Sequence, residues 1–170
     1  MKRLLLLLAL ALTACEGGTG ASPTIELPAF EAEAQAQGPL VFMRGRAEGD
    51  MLVVDVVARG APEVNGAALR VLFDAAALRF VEAAPSSAWP RVVTAVAKEG
   101  TPGQLAIAWG VRGAISIDAK EETLLGTLRF ARTSKVESKI RFKVDRSSLV
   151  DRRGLPVEMA FRGGTVPPKY

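Results

Sequence analysis

Side chains able to carry catalytic chemistry are scarce in this chain of 170 residues, which has no histidine and a single cysteine. The absence of histidine excludes the commonest general base, the serine–histidine and cysteine–histidine nucleophilic systems, and most zinc and copper sites. The adjacent carboxylates of Glu121 and Glu122 would point to opposite faces of a strand, so they indicate a solvated loop instead of an acid–base pair. We therefore predict a protein that is not an enzyme, with no catalytic residues and no cofactor.

Asp145 and Asp151 are the carboxylates whose surroundings come nearest to a metal site. They flank a short segment that contains two serines, and calcium takes six or more oxygen ligands from such groups. Positive charge opposes a cation there, because Arg146 lies within the segment and Arg152 and Arg153 follow it directly. The prediction is no bound metal, with Asp145 and Asp151 as the candidates if calcium binds.

The single cysteine, Cys15, ends a targeting segment. Lys2 and Arg3 precede an unbroken apolar run at 4–12, which is too short to span a bilayer as a helix. The run leads into Leu-Thr-Ala-Cys at 12–15, which resembles the lipobox of bacterial lipoproteins. The resemblance implies cleavage before Cys15 and attachment of lipid to it, so the membrane is one expected partner. The alternative is an ordinary secretory signal with an incidental cysteine.

The expected location is the bacterial cell envelope, with the protein held to a membrane by lipid. In enteric lipoproteins an aspartate after the cysteine signals retention in the inner membrane, and Glu16 is a weaker version of that signal. The outer membrane is therefore favoured over the inner one, and the side that the protein faces stays open. A formal charge of +4 that includes Lys2 and Arg3 is too small to indicate nucleic-acid binding, which needs a clustered basic stripe with stacking aromatics.

The rest of the chain predicts one all-β domain behind a flexible tether. Residues 15–38 are rich in glycine, alanine and glutamate and predict a lipidated, disordered tether, whereas residues 39–166 predict the folded domain and 167–170 a short tail. Apolar runs separated by turn residues at intervals of roughly 8–12 residues are typical of a sandwich. Nine strands are predicted: 40–46, 52–59, 67–73, 78–83, 91–97, 104–111, 123–131, 139–145 and 156–162.

The alternation within two strands separates a core face from an outer face. In 104–111 the large residues share one face and small residues share the other, which indicates a lightly covered outer face. In 139–145 the inward set is Ile140, Phe142 and Val144. The outward set is Lys139, Arg141, Lys143 and Asp145. Arg129 and Arg162 would join its three basic members if their strands are neighbours. This basic face is either a solvated, edge-protecting surface or a surface that binds anions or protein.

The two tryptophans have different surroundings. Trp109 lies on the apolar face of its strand and is predicted to pack in the core. Trp89 follows two serines and an alanine and precedes a proline, as in a loop. Its ring either plugs the end of the sandwich or is exposed for stacking on a sugar.

Three segments together resemble the cohesin-type domains. They are 64–81, which holds a glycine-led strand, a Phe-Asp turn and Leu-x-Phe-Val; the apolar strand at 124–130; and the closing segment 138–157. The resemblance implies a two-sheet antiparallel jelly-roll sandwich of about nine strands, a fold shared with carbohydrate-binding modules. The chain departs from the family at Ala75, where proline is usual, and it has no internal repeat.

The function expected from these observations is that of a non-catalytic cell-envelope lipoprotein. Its cohesin-like module would mediate protein–protein binding or assembly. The alternative is a module that binds polysaccharide at the cell surface. No motif identifies the partner or transfers a dockerin-binding residue to this sequence.

Overall fold

The computed structural model describes residues 29–113 and 115–169, so the predicted signal peptide, Cys15 and most of the predicted tether lie outside the described residues. The strands in chain order are β1 Glu31–Ala32, β2 Leu40–Glu48, β3 Met51–Arg59, β4 Ala61–Val64, β5 Gly66–Phe73, β6 Leu78–Pro85, β7 Val92–Glu99, β8 Gln104–Val111, β9 Ile117–Ala119, β10 Thr123–Arg132, β11 Ser138–Phe142, β12 Ser148–Val150, β13 Pro156–Val157, β14 Ala160–Arg162 and β15 Gly164–Val166. One short 3-10 turn, Val144–Arg146, lies between β11 and β12. The all-β prediction is confirmed.

Two sheets form the sandwich. In the larger, sheet A, β5 is central: β8 and then β7 lie on one side of it, and β11 and β12 share its other side. Sheet A continues from β11 through β15 to β1, and from β12 to β13. The second sheet, sheet B, has the order β14–β2–β3–β10–β6, with only the β14–β2 pair parallel. A ribbon of β4 and β9 connects the layers at one end.

The core fills the space between the two sheets with the inward side chains of alternate residues. Phe73 of sheet A meets Phe130 of sheet B edge to face, with ring centroids 5.1 Å apart. Trp109 is 2% exposed, as predicted, and its ring packs against Gly126, where a Cβ would overlap it. Such edge-to-face contacts join the two layers into one hydrophobic core.

The segment that resembles cohesin-type domains forms a strand, a tight turn and a second strand. Asp74 sets the turn: its Oδ1 accepts the Ala76 N–H at 2.9 Å, and its carbonyl oxygen accepts the Leu78 N–H at 2.9 Å. An aspartate that accepts from the backbone two residues later is a common turn device. The predicted role of Asp74 as a turn residue is confirmed.

The domain begins earlier than the predicted boundary at residue 39. Phe30 is buried in a notch left by Gly45 and Gly164, where a Cβ on either glycine would overlap its ring. Its neighbours Glu31 and Ala32 pair with β15, and the Glu33 carboxylate accepts the Gly163 N–H at 3.1 Å. The end of the predicted tether is therefore part of the sandwich, since two glycines on other strands make room for one aromatic ring.

Two predicted strands differ from the structure. The predicted strand 156–162 is two short strands, β13 in sheet A and β14 in sheet B. The predicted strand 139–145 is too long. Strand β11 stops at Phe142, and the next residues form the 3-10 turn, so Val144 is 60% exposed instead of pointing inward. The turn moves the chain from β11 to β12 along the same edge of β5. Asp145 consequently lies in this turn and not on a strand.

Across residues 29–113 and 115–169, no helix is both long and apolar enough to cross a membrane.

Candidate functional site

The outer face of sheet A has a flat centre made of small side chains. Ala68 of β5 stands directly opposite Ala108 of β8, which in turn stands opposite Val96 of β7. One row along, Arg70 stands opposite Ala106, and Ala106 stands opposite Lys98. Residues directly opposite on paired strands share a face, so these side chains form one continuous surface. The prediction that the small residues of 104–111 face outward is confirmed.

A shallow depression of about 230 Å³ crosses this centre. It is lined by the three alanines together with Val96, Arg70 and Arg146. Val96 is 53% exposed, although it is a large apolar residue. Small-molecule sites are usually deeper and enclose most of their ligand, so this surface suits a flat partner better than a buried small ligand.

Cations surround the small-residue centre. Arg70, Lys98, Lys139, Arg141 and Lys143 lie on or beside this face, and none of them makes a salt bridge to another described residue. The Lys143 backbone N–H donates to the Arg70 carbonyl oxygen at 2.8 Å, which places these two residues side by side. The predicted outward positions of Lys139 and Arg141 are thus observed, and sequence reasoning missed Arg70 and Lys98.

A second depression, also of about 230 Å³, lies beside two of these five cations. Lys139 and Arg141 line it together with Leu72, Phe73 and Asp74. Leu72 is half-buried and stands opposite Arg141 on one side and Gln104 on the other. The cationic rim therefore borders apolar surface instead of a run of acidic groups.

The outer face of sheet B differs because its charges neutralise one another. Arg129 lies 3.4 Å from Glu48 and 3.5 Å from Glu82, and Arg46 lies 3.1 Å from Glu48 and 2.7 Å from Asp55. A separate cluster pairs Arg44 and Arg59 with Glu122. Exposed ion pairs of this kind contribute little stability each, but they leave few charges for a partner to satisfy.

Arg129 and Arg162 do not join the basic face that the sequence predicted, and this part of the prediction is wrong. Arg129 is on β10 of sheet B, on the opposite side of the molecule from Lys139. Arg162 is on β14 of the same sheet and donates to the Phe161 carbonyl oxygen at 2.9 Å. Both residues alternate outward from their strands, but their strands belong to the other layer.

Trp89 is 4% exposed, so the interpretation that it offers an exposed ring is wrong. Its Nε1–H donates to the Leu125 carbonyl oxygen at 2.6 Å, and its ring packs in the core. The alternative interpretation, in which Trp89 closes one end of the sandwich, agrees with this position. Within 29–113 and 115–169 no aromatic side chain is among the exposed large hydrophobic residues, so the described surface offers no ring on which a sugar would stack.

The two calcium candidates have other contacts. Asp145 lies 3.7 Å from Arg146. The Asp151 carboxylate closes its own loop: Oδ1 accepts the Leu155 N–H at 2.9 Å and the Arg153 N–H at 2.8 Å, and Oδ2 accepts from the Arg153 guanidinium at 3.1 Å. The hydrogen bond from Leu155, with those from Arg153, lowers the pKa of the Asp151 carboxyl below its ordinary value. In the part of the chain that the structure describes, no three metal-ligating side chains form a cluster.

Comparisons with solved structures identify the fold. The chain matches the sixth cohesin of scaffoldin B from Acetivibrio cellulolyticus, solved with a dockerin, with a TM-score of 0.62 and 15% identity over 78% of this chain and 99% of that one. It matches the type I cohesin of a cohesin–dockerin complex from Clostridium thermocellum with a TM-score of 0.61 and 15% identity over 79% of this chain and 96% of that one. It also matches a non-cellulosomal cohesin from Archaeoglobus fulgidus with a TM-score of 0.60 and 14% identity over 75% of this chain and 88% of that one. No protein-family model and no curated protein matches the chain. The predicted cohesin-type sandwich is confirmed as the fold.

Proposed function

We propose that this domain is a non-catalytic protein-binding module and that the outer face of sheet A is its binding surface. The observation that supports this most directly is the contrast between the two outer faces. Sheet A presents a flat centre of small side chains bordered by five cations without ion pairs, whereas most charges of sheet B are already paired within the domain.

The chemistry of the surface fits a protein partner. Alanines at the centre allow another backbone to approach closely, so a helix or a sheet can cover Val96 and Leu72 and remove apolar area from water. The cations at the rim fit acidic or hydrogen-bond-accepting groups on the partner, and such rim charges mainly guide association and orientation. A polysaccharide is less well served, since sugar recognition would rely on polar groups alone.

The structural neighbours support the same proposal. Two of the matched cohesins were solved in complexes with dockerins, so this fold supports protein–protein binding in those proteins. At 13–16% identity the likeness to these cohesins shows a shared fold and nothing finer. The partner of this chain is therefore defined here by its chemistry, a protein surface with acidic groups, and not by a family name.

The proposal places the module at the bacterial cell envelope. Cys15 would carry the lipid after removal of 1–14, and the segment between Cys15 and Phe30 would connect the lipid to the sandwich. Acyl chains on one cysteine hold a protein to a membrane because each buried methylene contributes about 0.8 kcal/mol. In this arrangement the protein recruits its partner to a membrane surface, with the outer membrane favoured.

Capture from detergent-solubilised envelope, followed by side-chain footprinting of the complex, tests the proposal. The bait is the chain produced in its own envelope, and its mass should show loss of 1–14 and acylation at Cys15. A specific protein should be retained, and oxidative labelling of Leu72 and Val96 on sheet A should fall in the complex. Labelling of Val81 and Leu124 on sheet B, which are also exposed, should not change. A complex that protects Val81 and Leu124 instead would contradict the choice of face, and an unmodified Cys15 would contradict the anchor.

A further inference from the structure

A depression at one end of the sandwich collects charged side chains from three segments of the chain. Its volume is about 330 Å³, and its lining residues are Asp50, Arg132, Thr133, Ser134, Lys135 and Lys169. Arg132 is the last residue of β10, Asp50 lies in the turn between β2 and β3, and Lys169 lies in the C-terminal segment after β15. The depression therefore lies beyond the ends of the strands, and its lining has three cations and one carboxylate.

Hydrogen bonds hold the C-terminal segment against the loop that follows β10. Arg132 Nη2 donates to the Pro167 carbonyl oxygen at 2.7 Å, and the Lys169 backbone N–H donates to the Lys135 carbonyl oxygen at 3.0 Å. The Lys169 ammonium lies 3.4 Å from the Asp50 carboxylate. These contacts fix the backbones that carry the three cations side by side.

The charges of Arg132 and Lys135 are not balanced within the part of the chain that the structure describes. Neither side chain makes a salt bridge to another described residue. The Arg132 side chain is half-buried, and its Nε has no hydrogen-bond partner among those residues. A guanidinium that has lost part of its hydration gains most from an anion with several oxygens, and phosphate matches its planar fork.

The N-terminal segment enters the domain at this same end. Strands β1 and β15 are antiparallel, with Glu31 opposite Thr165, so the chain before β1 runs back alongside the residues that lead from β15 to Lys169. Ala29 follows Cys15 by 14 residues, and a flexible tether of that length spans about 20 Å on average. Lipid on Cys15 would therefore keep this end of the sandwich close to the membrane surface.

The loop beside the depression also has an exposed apolar residue. Val136 follows Lys135 and is 65% exposed. Its N–H donates to Ser134 Oγ at 3.1 Å, which holds the loop in a turn. Glu137, the next residue, does not line the depression. An apolar side chain beside cations is favoured in the headgroup region, where it is removed from water while the cations contact phosphates.

We propose that this depression binds the phosphate group of an anionic phospholipid. Arg132 and Lys135 pair with the phosphate oxygens, Lys169 adds the third cation, and Val136 lies among the headgroups. The site rests on the lipid anchor of the proposed function, which brings it to the membrane, but it does not involve the partner-binding face. Because the depression lies at strand ends, the strands then run away from the membrane and the outer face of sheet A stays open to a partner.

An NMR titration of the full chain in neutral detergent micelles tests the site. Phosphatidylglycerol should shift the amide signals of Ser134 and Lys135 and give a dissociation constant, whereas phosphatidylcholine at the same concentration should shift them little. Inorganic phosphate should bind more weakly than phosphatidylglycerol, because it is not concentrated at the micelle surface. The signals report on the depression directly, so an unmodified Cys15 would contradict the anchor without changing the outcome of this titration.

Neutral variants identify the cations. Lys135→Gln should raise the dissociation constant for phosphatidylglycerol about fivefold, and Lys135→Gln with Lys169→Gln about 25-fold. Both variants keep the bond from Arg132 to Pro167. Arg112→Gln is the matched control, because Arg112 is an exposed cation beyond the other end of β8, and it should bind as wild type does. Equal binding of the two lipids, inorganic phosphate binding as tightly as phosphatidylglycerol, or an unchanged constant for the double variant would overturn the proposal.

Discussion

Replacing Trp109 by alanine is expected to lower the free energy of unfolding by about 3–5 kcal/mol, the range for removal of a large aromatic side chain from a core. Trp109 is 2% exposed and its ring lies against Gly126 of sheet B. The vacated space cannot collapse easily, because the two sheets are held apart by other pairs such as Phe73 and Phe130. Urea denaturation monitored by circular dichroism measures the loss.

Trp109→Phe is the control for this substitution. The Trp109 Nε1–H has no hydrogen-bond partner among the described residues, so phenylalanine removes volume but breaks no bond. Its cost should be well below that of alanine. Trp89 provides the contrast, since its Nε1–H donates to the Leu125 carbonyl oxygen. Trp89→Phe would remove that hydrogen bond and leave the oxygen with the Ser86 N–H as its one remaining donor among the described residues. If Trp109→Ala and wild type unfold at the same urea concentration, the description of this core is wrong.

Phe30→Ala is expected to lower the free energy of unfolding by about 3 kcal/mol, the low end of the range for truncation of a buried aromatic residue. The loss is at the low end because the N-terminal segment can partly move into the space that is left. For a domain of this size the loss corresponds to a fall in melting temperature of roughly 10 °C. The physical reason is the notch at Gly45 and Gly164, which has no other side chain to fill it. Hydrogen exchange should also show loss of protection at the Glu33 amide, which donates to the Gly163 carbonyl oxygen.

Glu31→Ala is the matched control for Phe30→Ala, because Glu31 is an exposed residue of the same short strand. It should leave the melting temperature close to that of wild type. If Phe30→Ala also melts at the wild-type temperature, residues 29–33 do not belong to the folded domain, and the boundary predicted near residue 39 is the better one.

The sequence was most informative where the pattern is local. The alternation in 104–111 identifies the core face of a strand from eight residues, and Asp74 defines its turn through bonds to residues two and four positions later. The resemblance to cohesin-type domains added the two-sheet jelly-roll sandwich, which alternation alone does not contain. These features need no knowledge of distant contacts.

The errors concern contacts between residues far apart in the sequence. Arg129 alternates outward as Lys139 does, but strand order decides which sheet each belongs to, and β10 pairs with β3 and β6. Trp89 has a loop-like local sequence, and its burial depends on the carbonyl of Leu125, which is 36 residues away. Phe30 is buried in the space that two glycines on different strands, Gly45 and Gly164, leave open. No local signal distinguishes such positions from exposed ones.

Only part of the candidate site could be predicted from the sequence, because the rest depends on contacts between residues that are far apart in the chain. Lys139 and Arg141 were found because they alternate on one strand. Arg70 and Lys98 were missed because they flank Ala106 only after three strands come together. The small residues of 104–111 were a signal that could have led to Arg70 and Lys98. They indicate a lightly covered outer face, and the outward residues of the strands on either side must lie on that same face.

The affinity of the captured partner for two matched variants tests the central claim most directly. Ala68→Glu places a long, acidic side chain at the centre of the outer face of sheet A, and Ala84→Glu places the same side chain on sheet B; both alanines are exposed. Ala68→Glu should weaken binding by about 100-fold or more, because it obstructs close approach at the centre of the interface, and Ala84→Glu should bind as wild type does. Equal affinities for the two variants, or loss with Ala84→Glu alone, would contradict the assignment of the binding surface to sheet A.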